Sequence, residues 1–293
     1  MKVAIFSPGE MGGAVGGALH AGGIEVIGDL SGRGAETRER ALAMGFRDAG
    51  SVTAAVGDAD MVLSILPPAL APVVAGQVLA AIGETGATPV YVDCNAVSPD
   101  TARSIGVRFT ERGLRFVDGG IIGSPPGKDT PRLYVSGPDR EVMRQFDGMG
   151  IDIRLLDDEI GRASAIKMCF AAITKGTGAL HATTMLAARS VGVFDALMDE
   201  FRESRSGIFS RLEKGIPALP AVAGRFEGEM EEIAATFEAA GVSPDFHKGA
   251  AWVMRQFAAS EFAHETRDNR DLSRSMARTV ESIFRQLQKD GPK

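Results

Sequence analysis

The sequence predicts an α/β domain with a doubly wound, mostly parallel sheet in its first half and an all-α domain in its second half. Three observations support this division. The chain opens on a strand, a glycine-rich turn and a helix, and short apolar runs then alternate with helical segments up to about residue 157. Beyond that point strand patterns end and long helical segments follow. We therefore expect a sheet domain over residues 1–157 and a helical domain over residues 158–293.

The first element is a short apolar strand, Lys2–Phe6, which leads into a glycine-rich turn and then into small residues at helical spacing. The G-x-G-x-x-G pattern of dinucleotide-binding βαβ units would place glycines at positions 7, 9 and 12, but here the first of these is a serine. Such a turn directs backbone N–H groups and a helix N-terminus at a pyrophosphate, which indicates a nicotinamide or flavin cofactor. The expected contact residues are Ser7, Gly9, Glu10, Met11 and Gly12.

The segments that follow repeat this alternation as far as residue 136. Strands are predicted at residues 24–30, 60–66, 89–93, 116–117 and 133–136, with helices at residues 12–21, 34–44, 70–82 and 99–112. Strands separated by helices form parallel sheets through right-handed crossovers.

The second half of the chain shows helical patterns throughout. A proline-free stretch at residues 161–191 predicts a long interdomain helix, about 40 Å from end to end. Four later segments are also predicted to be helices: residues 194–213, 224–241, 246–263 and 272–289.

Composition and charge limit the classes of protein that this chain can represent. The 293 residues carry a net charge of −6 without a long run of like charge, which argues against a nucleic-acid partner. Cys94 and Cys169 lack metal-ligand spacing, so we expect neither a metal site nor a disulfide framework. No membrane span and no signal peptide are expected. We therefore expect a cytoplasmic protein that acts on a small-molecule substrate.

The loop after the second predicted strand bears on the choice between NAD and NADP. Asp29 ends that strand, where an acidic residue normally holds the ribose 2′-hydroxyl of NAD. Ser31 and Arg33 follow, where an arginine accommodates the 2′-phosphate of NADP through a bidentate contact. Asp29 lies early, inside the strand, so we favour NADP, with NAD as the alternative. An Arg33 that is only a solvated loop charge is the structural alternative.

Three more loops follow predicted strands, at the edge where open α/β sheets bind ligands. Leu66 and Pro67 end one strand, and Asn95 lies just beyond the next. We expect these three residues to line the cofactor, and Asn95 to reach the substrate as well. The glycine-rich segment at residues 118–124 offers N–H groups to a carboxylate. Its expected contact residues are Gly120, Ile122, Gly123 and Ser124. Each loop taken alone is also explained by turn chemistry, because Asp, Asn and Gly favour turns.

Lys167 lies among small and apolar residues on the predicted long helix. Burial lowers the pKa of a lysine toward the range useful for proton transfer, so a buried Lys167 would be a candidate general acid/base. A lysine whose ammonium group reaches solvent from the same position would have no such role. Periodicity does not distinguish the two.

Four segments, in this order, resemble motifs of the β-hydroxyacid dehydrogenase family, which includes 3-hydroxyisobutyrate and 6-phosphogluconate dehydrogenases. They are residues 7–15, which include Met11, and residues 93–99, 118–124 and 161–167. The resemblance covers about residues 1–170. It implies a Rossmann-type domain followed by an all-α domain that forms a homodimer. It also implies that Lys167 is the general acid/base of hydride transfer and that Asn95 lies beside nicotinamide and substrate. Backbone groups of Gly123 and Ser124 would hold the substrate carboxylate.

The chain departs from this family at the implied substrate site. Ile122 stands where the family has a serine, and Phe170 and Ala171 stand where it has two asparagines. Apolar groups thus replace hydrogen-bond donors, so we expect a less polar or bulkier substrate. Ala171 remains an expected substrate contact.

Further substrate contacts are expected from the long helix and the helical domain. Thr174 lies about two turns beyond Lys167 on the same helix face and can restore part of the lost hydrogen bonding. Arg225 and His247 are candidates from the helical domain, and an ordinary surface or packing role is the alternative for His247.

Three functions agree with these features. The leading interpretation is an NADP-dependent oxidoreductase that interconverts a hydroxy acid, or a related alcohol, with its carbonyl compound. The second is an imine reductase, or a reductase similar to pyrroline-5-carboxylate reductase, because those enzymes open with a comparable glycine turn. The third is a nucleotide-binding protein that has lost turnover.

Overall fold

Short apolar runs form one mixed sheet in the first half of the chain, within the residues 1–290 that a computed structural model describes. Its strands are β1 (Lys2–Phe6), β2 (Glu25–Gly28), β3 (Phe46–Asp48), β4 (Met61–Ser64), β5 (Val90–Asp93), β6 (Phe116–Ile122), β7 (Arg132–Ser136) and β8 (Asp152–Leu155). Their order across the sheet is β3-β2-β1-β4-β5-β6-β7-β8. Neighbouring strands are parallel except for β6 and β7. The doubly wound, mostly parallel sheet that the sequence predicts is confirmed.

Helices cover both faces of this sheet. They are α1 (Glu10–Ala21), α2 (Ala35–Ala43), α3 (Val52–Asp58), α4 (Ala71–Thr85) and α5 (Pro99–Thr110). The helices α1 and α2 contribute to the core on one face, and α3, α4 and α5 contribute to the core on the other. Strand β1 shows why its sequence is continuously apolar: Val3 and Ile5 point into the first core, whereas Ala4 and Phe6 point into the second.

The chain packs as two units, and the division falls inside a long helix. This helix is α6 (Arg162–Ser190). The first unit, Met1–Met168, contains the sheet and the first two turns of α6, and the second unit begins at Cys169. We call them the sheet unit and the helical unit. The strand pattern places the boundary at residue 157, before the helix, because sequence periodicity shows where strands end and not which residues pack together.

The helical unit contains the remainder of α6 and five further helices among the described residues. They are α7 (Phe194–Ser204), α8 (Ser206–Gly215), α9 (Pro220–Ala239), α10 (Asp245–Ala258) and α11 (Met276–Asp290). The all-α character of the second half is therefore confirmed. One predicted helix, at residues 194–213, is in fact α7 and α8, because Arg205 between them adopts a non-helical conformation with φ −144° and ψ 54°.

Three elements of the sheet unit escape prediction from the sequence. Strand β3 and helix α3 are short, and β8 alternates charged with apolar residues because it lies at the edge of the sheet. Strand β6 is longer than the predicted residues 116–117 and continues through two glycines to Ile122. Because glycine has low strand propensity, the sequence predicts a loop at residues 118–124, but most of this segment is strand.

One helical stretch, Pro68–Thr85, is apolar and long enough to cross a membrane by length and composition alone, contrary to the expectation that no stretch would qualify. It comprises a 3₁₀ turn, Pro68–Leu70, followed by α4. Ala71, Ala75 and Val78 are buried in the core of the sheet unit. One face of α4 therefore packs as a core helix, which explains the apolar composition without a membrane.

The turn between β1 and α1 contains a non-glycine residue in a left-handed conformation. Ser7 has a φ of 66°, and it is the only non-glycine residue with a positive φ among residues 1–290. Its carbonyl oxygen accepts a hydrogen bond from the Gly9 N–H at 2.7 Å, which closes the turn. A left-handed conformation costs a residue with a Cβ about 1–2 kcal/mol. The turn therefore keeps a glycine-type geometry with a serine in the position.

The helical unit holds one buried histidine. The His247 ring on α10 lies between the Phe237 and Phe246 rings, with centroids 4.5 and 5.0 Å away. It hydrogen-bonds the backbone of Ala172 on α6, whereas its Nδ1 has no hydrogen-bond partner among the described residues. Burial lowers the pKa of His247, and the hydrogen bond offsets part of this shift. His247 thus packs α10 against α6 as a neutral ring.

The strained turn makes a prediction about stability. Ser7→Gly should raise the free energy of unfolding by about 1 kcal/mol, because glycine adopts positive φ without the steric cost of a Cβ. Urea denaturation followed by circular dichroism measures the change. Ser7→Ala retains the Cβ and should give no stabilisation. An equal gain from alanine would show that removal of the hydroxyl, and not relief of the backbone, is responsible.

His247 makes a prediction about pH. Its pKa is lower in the folded chain than in the unfolded chain, so acidification through the ordinary histidine range protonates the unfolded chain first. The free energy of unfolding should therefore fall as the pH decreases from 8 to 5.5, and His247→Gln should reduce this pH dependence. The exposed His264, changed to glutamine, serves as the control. A wild-type slope in His247→Gln would contradict the assignment.

Candidate functional site

The glycine turn has the geometry of a phosphate-binding loop. A Cβ at Gly12 would lie 2.6 Å from the Ser7 carbonyl oxygen, so only glycine allows α1 to begin this close to β1. A Cβ at Gly9 would meet nothing within 4 Å, so the backbone there faces open space. Gly12 thus allows the helix to pack closely on the strand, and Gly9 leaves space for the close approach of a ligand, as glycines of this pattern do.

The first turn of α1 offers backbone donors at this turn. The Gly13 N–H donates to the Gly9 carbonyl at 2.8 Å, and the N-cap residue Gly9 has no side chain that could cap the helix. The N–H groups of the first helical residues, including Glu10 and Met11, are those that a helix leaves for an anion. The Glu10 carboxylate lies in this turn, 3.7 Å from the Lys128 ammonium. A pyrophosphate at this place would meet the backbone donors and the Lys128 ammonium, together with the Glu10 carboxylate that pairs with this ammonium.

The loop after β2 is held by groups that the sequence did not single out. The Asp48 carboxylate accepts the Leu30 N–H at 3.2 Å and the Gly50 N–H at 2.9 Å. Arg38 on α2 donates to the Leu30 carbonyl at 3.2 Å and pairs with Asp48 at 3.3 Å. Both polar groups of the Leu30 backbone are therefore satisfied by one ion pair. Sequence spacing gives no indication of this pair, because it joins an edge strand to a helix across the loop.

Asp29 and Arg33 have different roles within this loop. The Asp29 carboxylate accepts the Ser31 N–H at 2.9 Å and the Ser31 hydroxyl at 2.5 Å, so it shapes the turn. Arg33 is exposed, and Gly32 before it has a φ of 68°. The turn therefore presents Ser31 and Arg33 outward and engages Asp29 internally.

Asn95 joins the ends of two neighbouring strands. Its Oδ1 accepts the Leu66 N–H at 2.5 Å, and its Nδ2 donates to the Ser64 hydroxyl at 2.9 Å. The Asn95 N–H donates to Asp93 at 2.9 Å, and the residue is buried. Asn95 thus shapes the loops after β4 and β5, and it leaves Pro67 exposed at their edge. Its side chain is a structural bridge at the place where a ligand contact is expected.

Strand β6 brings the start of α6 close to the sheet. A Cβ at Gly120 would lie 2.6 Å from the Ala163 carbonyl oxygen and 3.1 Å from the Lys167 Cβ. Lys167 is half-buried, and its Nζ donates to the Ile121 carbonyl at 2.6 Å. The amine therefore has a defined position at the carboxyl end of β6.

The remaining residues of the predicted substrate loop separate into two groups. Gly120 and Ile122 lie within β6, and Ile122 is buried. Gly123 and Ser124 lie beyond the strand and are exposed, and Gly123 has a φ of 128° that favours glycine. Gly123 and Ser124 thus offer backbone groups that can bind a carboxylate. They lie next to the end of β6, where the Ile121 carbonyl accepts the hydrogen bond from Lys167.

The helical unit contains the other predicted contacts. Ala171 is buried, Phe170 is exposed, and the Thr174 hydroxyl donates to the Phe170 carbonyl at 3.0 Å. Arg225 lies 3.8 Å from the Glu229 carboxylate, which also pairs with Lys175. Lys175 and Glu229 were not singled out from the sequence, because their pairing joins α6 to α9. Over residues 1–290, no group of three or more His, Cys, Asp or Glu side chains is placed to hold a metal ion.

Comparisons with known proteins identify both parts of the chain. Residues 2–147 match the family described as the NAD binding domain of 6-phosphogluconate dehydrogenase. Residues 188–257 match a domain of unknown function, DUF1932. An uncharacterised 28.5 kDa protein of Methanothermus fervidus is 27% identical over 191 residues, which are 65% of this chain and 72% of that protein.

Solved structures share the fold. A conserved protein of unknown function, described as structurally similar to 3-hydroxyacid dehydrogenases, is 26% identical with a TM-score of 0.62, over 88% of this chain and 97% of that one. The 3-hydroxyisobutyrate dehydrogenase of Mycobacterium tuberculosis is 17% identical with a TM-score of 0.65, over 98% of this chain and 99% of that one. An imine reductase of Streptomyces aurantiacus is 19% identical with a TM-score of 0.52, over 96% and 99% of the two chains.

These matches bear directly on the motifs. The family match spans the glycine turn, the loops after β2, β4 and β5, and all of β6. The resemblance to the β-hydroxyacid dehydrogenases that the motifs predict is confirmed, and the match to an NAD-binding domain supports a nicotinamide cofactor. The sheet unit therefore contains a domain of the family described as the NAD binding domain of 6-phosphogluconate dehydrogenase, over residues 2–147.

Proposed function

We propose that this protein is an NADP-dependent oxidoreductase that interconverts a hydroxy acid, or a related alcohol, with its carbonyl compound. The observation that carries the proposal is the position of the Lys167 amine. It is held 2.6 Å from the Ile121 carbonyl at the carboxyl end of β6. The glycine turn after β1 lies at the same edge of the sheet, because β1, β4, β5 and β6 are parallel. A proton-transfer group and a cofactor loop therefore share the edge where such sheets bind ligands.

The chemistry follows from this arrangement. A bound nicotinamide supplies or accepts the hydride at its C4 carbon. For oxidation, the neutral Lys167 amine takes the proton of the substrate hydroxyl as the hydride leaves the substrate carbon. For reduction, the Lys167 ammonium returns a proton to the carbonyl oxygen. The Ile121 carbonyl accepts one N–H of Lys167 and so orients the nitrogen for either direction. The backbone of Gly123 and Ser124 would hold the substrate carboxylate.

The loop after β2 supports NADP as the cofactor. Asp29 is engaged with Ser31, so its carboxylate is less available to a ribose 2′-hydroxyl. The exposed Arg33 offers donors for a 2′-phosphate, whereas the N–H and hydroxyl donors of Ser31 are engaged by Asp29. NAD is the alternative.

A specific observation favours imine reduction as a second candidate. Phe170 and Ala171 stand where the resemblance leads us to expect an amide pair, so the face of α6 next to Lys167 has apolar groups there. Imine reductases are also among the structures that share this fold. A less polar substrate, such as a cyclic imine, agrees with both findings. The third candidate is a nucleotide-binding protein without turnover.

The proposal also covers the compartment, the kind of substrate and the oligomeric state of the enzyme. We place it in the cytosol, with a small-molecule substrate. We also expect a homodimer formed through the helical domain, because Ile173 and Leu180 on α6 are 73% and 50% exposed. The elution volume of the purified protein tests this assembly.

Arg33→Ala should raise the KM for NADPH about 10-fold or more and change the KM for NADH little, because a charge-assisted contact to the 2′-phosphate is lost. Steady-state kinetics with both cofactors measures this difference. Arg40→Ala, which removes an exposed arginine from the neighbouring helix α2, is the matched control. A wild-type preference for NADH over NADPH would overturn the NADP assignment.

Lys167→Ala should lower kcat about 100-fold or more if Lys167 transfers the proton. The Kd of NADPH, measured by fluorescence, should change little. Lys214→Ala removes an exposed lysine and is the control. The assay is a panel of hydroxy acids, ketones and cyclic imines with NADPH and NADP.

The panel separates the three candidates. Turnover of hydroxy acids or ketones that depends on Lys167 supports the leading proposal. Turnover confined to imines favours the second candidate, and NADPH binding without any turnover favours the third. Unchanged turnover in Lys167→Ala refutes the role of this lysine.

A further inference from the structure

Asp118 is a buried carboxylate in β6 with an unusual number of donors around it. Its Oδ1 accepts the Ser164 hydroxyl at 2.6 Å. Its Oδ2 accepts the N–H groups of Gly161 and Ser164 at 2.9 and 3.0 Å and the Ser136 hydroxyl at 2.9 Å. Burial raises the pKa of Asp118, and these hydrogen bonds oppose the shift. A buried charge without such partners would be strongly destabilising, so the four donors stabilise it there.

Most of these donors belong to the start of α6. The Ser136 hydroxyl, which donates to Asp118, also accepts the Ala163 N–H at 3.1 Å. The N–H groups of Gly161, Ala163 and Ser164, which a helix start leaves without helical partners, are thus all bound by β6 and β7. The positive end of the helix dipole lies at the same place and favours a negative charge there. The Asp118 carboxylate is in effect the cap of α6.

The same strand also holds the reactive amine. Asp118 binds the first residues of α6, and Ile121, three residues further along β6, accepts a hydrogen bond from Lys167. Gly120 between them allows the backbones to approach, since a Cβ would lie 2.6 Å from the Ala163 carbonyl oxygen. One short segment of β6 therefore contacts α6 at both ends of residues 161–167. Loss of the first contact would allow the helix start to move and would displace the amine from the second.

We propose that Asp118 is a positioning residue that holds the start of α6 on β6 and so places the Lys167 amine for proton transfer. This inference rests on the proposed acid/base role of Lys167. A carboxylate that served only the stability of the sheet unit would have no effect on the environment of that amine.

The variant Asp118→Asn tests the proposal. Asparagine has the same size, but its NH₂ group would face N–H or hydroxyl donors that now bind a carboxylate oxygen. We expect kcat to fall about 10- to 100-fold, as for a reacting group displaced by about 1 Å, with an unchanged Kd for NADPH. We also expect the acetylation rate of Lys167 by acetic anhydride, measured by mass spectrometry against Lys214 in the same sample, to differ from the wild-type rate.

Two further variants separate positioning from stability. Glu265→Gln disrupts a buried ion pair with Arg274 in the helical unit, so it should lower Tm without changing the acetylation of Lys167. If Asp118→Asn behaves in the same way, with normal kcat and normal acetylation, the proposal is wrong. Ser136→Ala keeps the charge of Asp118 and removes one of its hydrogen bonds. It should change kcat and the acetylation rate of Lys167 in the same direction as Asp118→Asn but by less. This variant provides the test if Asp118→Asn does not fold.

The double variant distinguishes this proposal from the proposed function. If Asp118 acts through Lys167, adding Asp118→Asn to Lys167→Ala should lower kcat no further. A further fall of the same size would overturn the positioning role. If Lys167→Ala leaves turnover unchanged, the proposed acid/base role fails, whereas the acetylation rate still reports whether Asp118 positions the amine.

Discussion

The close contact between β6 and the start of α6 is the constraint on which the candidate site depends. At Gly120 the two backbones lie so near that a single Cβ would be 2.6 Å from a helix carbonyl oxygen. Such proximity removes solvent from the interface, so every polar group of the helix start needs a protein partner. Asp118 and Ser136 supply these partners. The position of Lys167 then follows from packing and hydrogen bonding and does not depend on a flexible loop.

The rest of the carboxyl edge is organised by a different means. The loops after β2 and β4 are short, and each is bound through its backbone by a side chain from elsewhere in the sheet unit. Asp48 binds the Leu30 N–H, and Asn95 binds the Leu66 N–H. These side chains are thereby engaged within the protein. The groups left to face a ligand are backbone N–H groups at the glycine turn and the exposed side chain of Arg33.

The sequence predicts those parts of the fold that depend on local pattern. Continuous apolar runs such as β1 and the long proline-free helix α6 are found correctly, because burial on both faces and helical spacing leave clear traces. Edge strands do not: β8 has charged residues at alternate positions, since one side of it faces solvent. The glycine pair in β6 also conceals a strand, because glycine has low strand propensity, although both glycines pair with β7 and Gly120 admits the start of α6. Lys167 was singled out through motif order. The sequence does not single out Asp118, Arg38 or Lys175, because their contacts join different segments of the chain.

Helix α6 belongs to both packing units, and this has a consequence for how the protein can change over time. Lys167 lies in the part of the helix that packs with the sheet, whereas Phe170, Ala171 and Thr174 lie beyond the division at Met168. Mutations in the helical unit can therefore accumulate without disturbing the packing that places the amine. The boundary within this continuous helix thus separates residues whose substitution would disturb the position of the Lys167 amine from residues whose substitution would not.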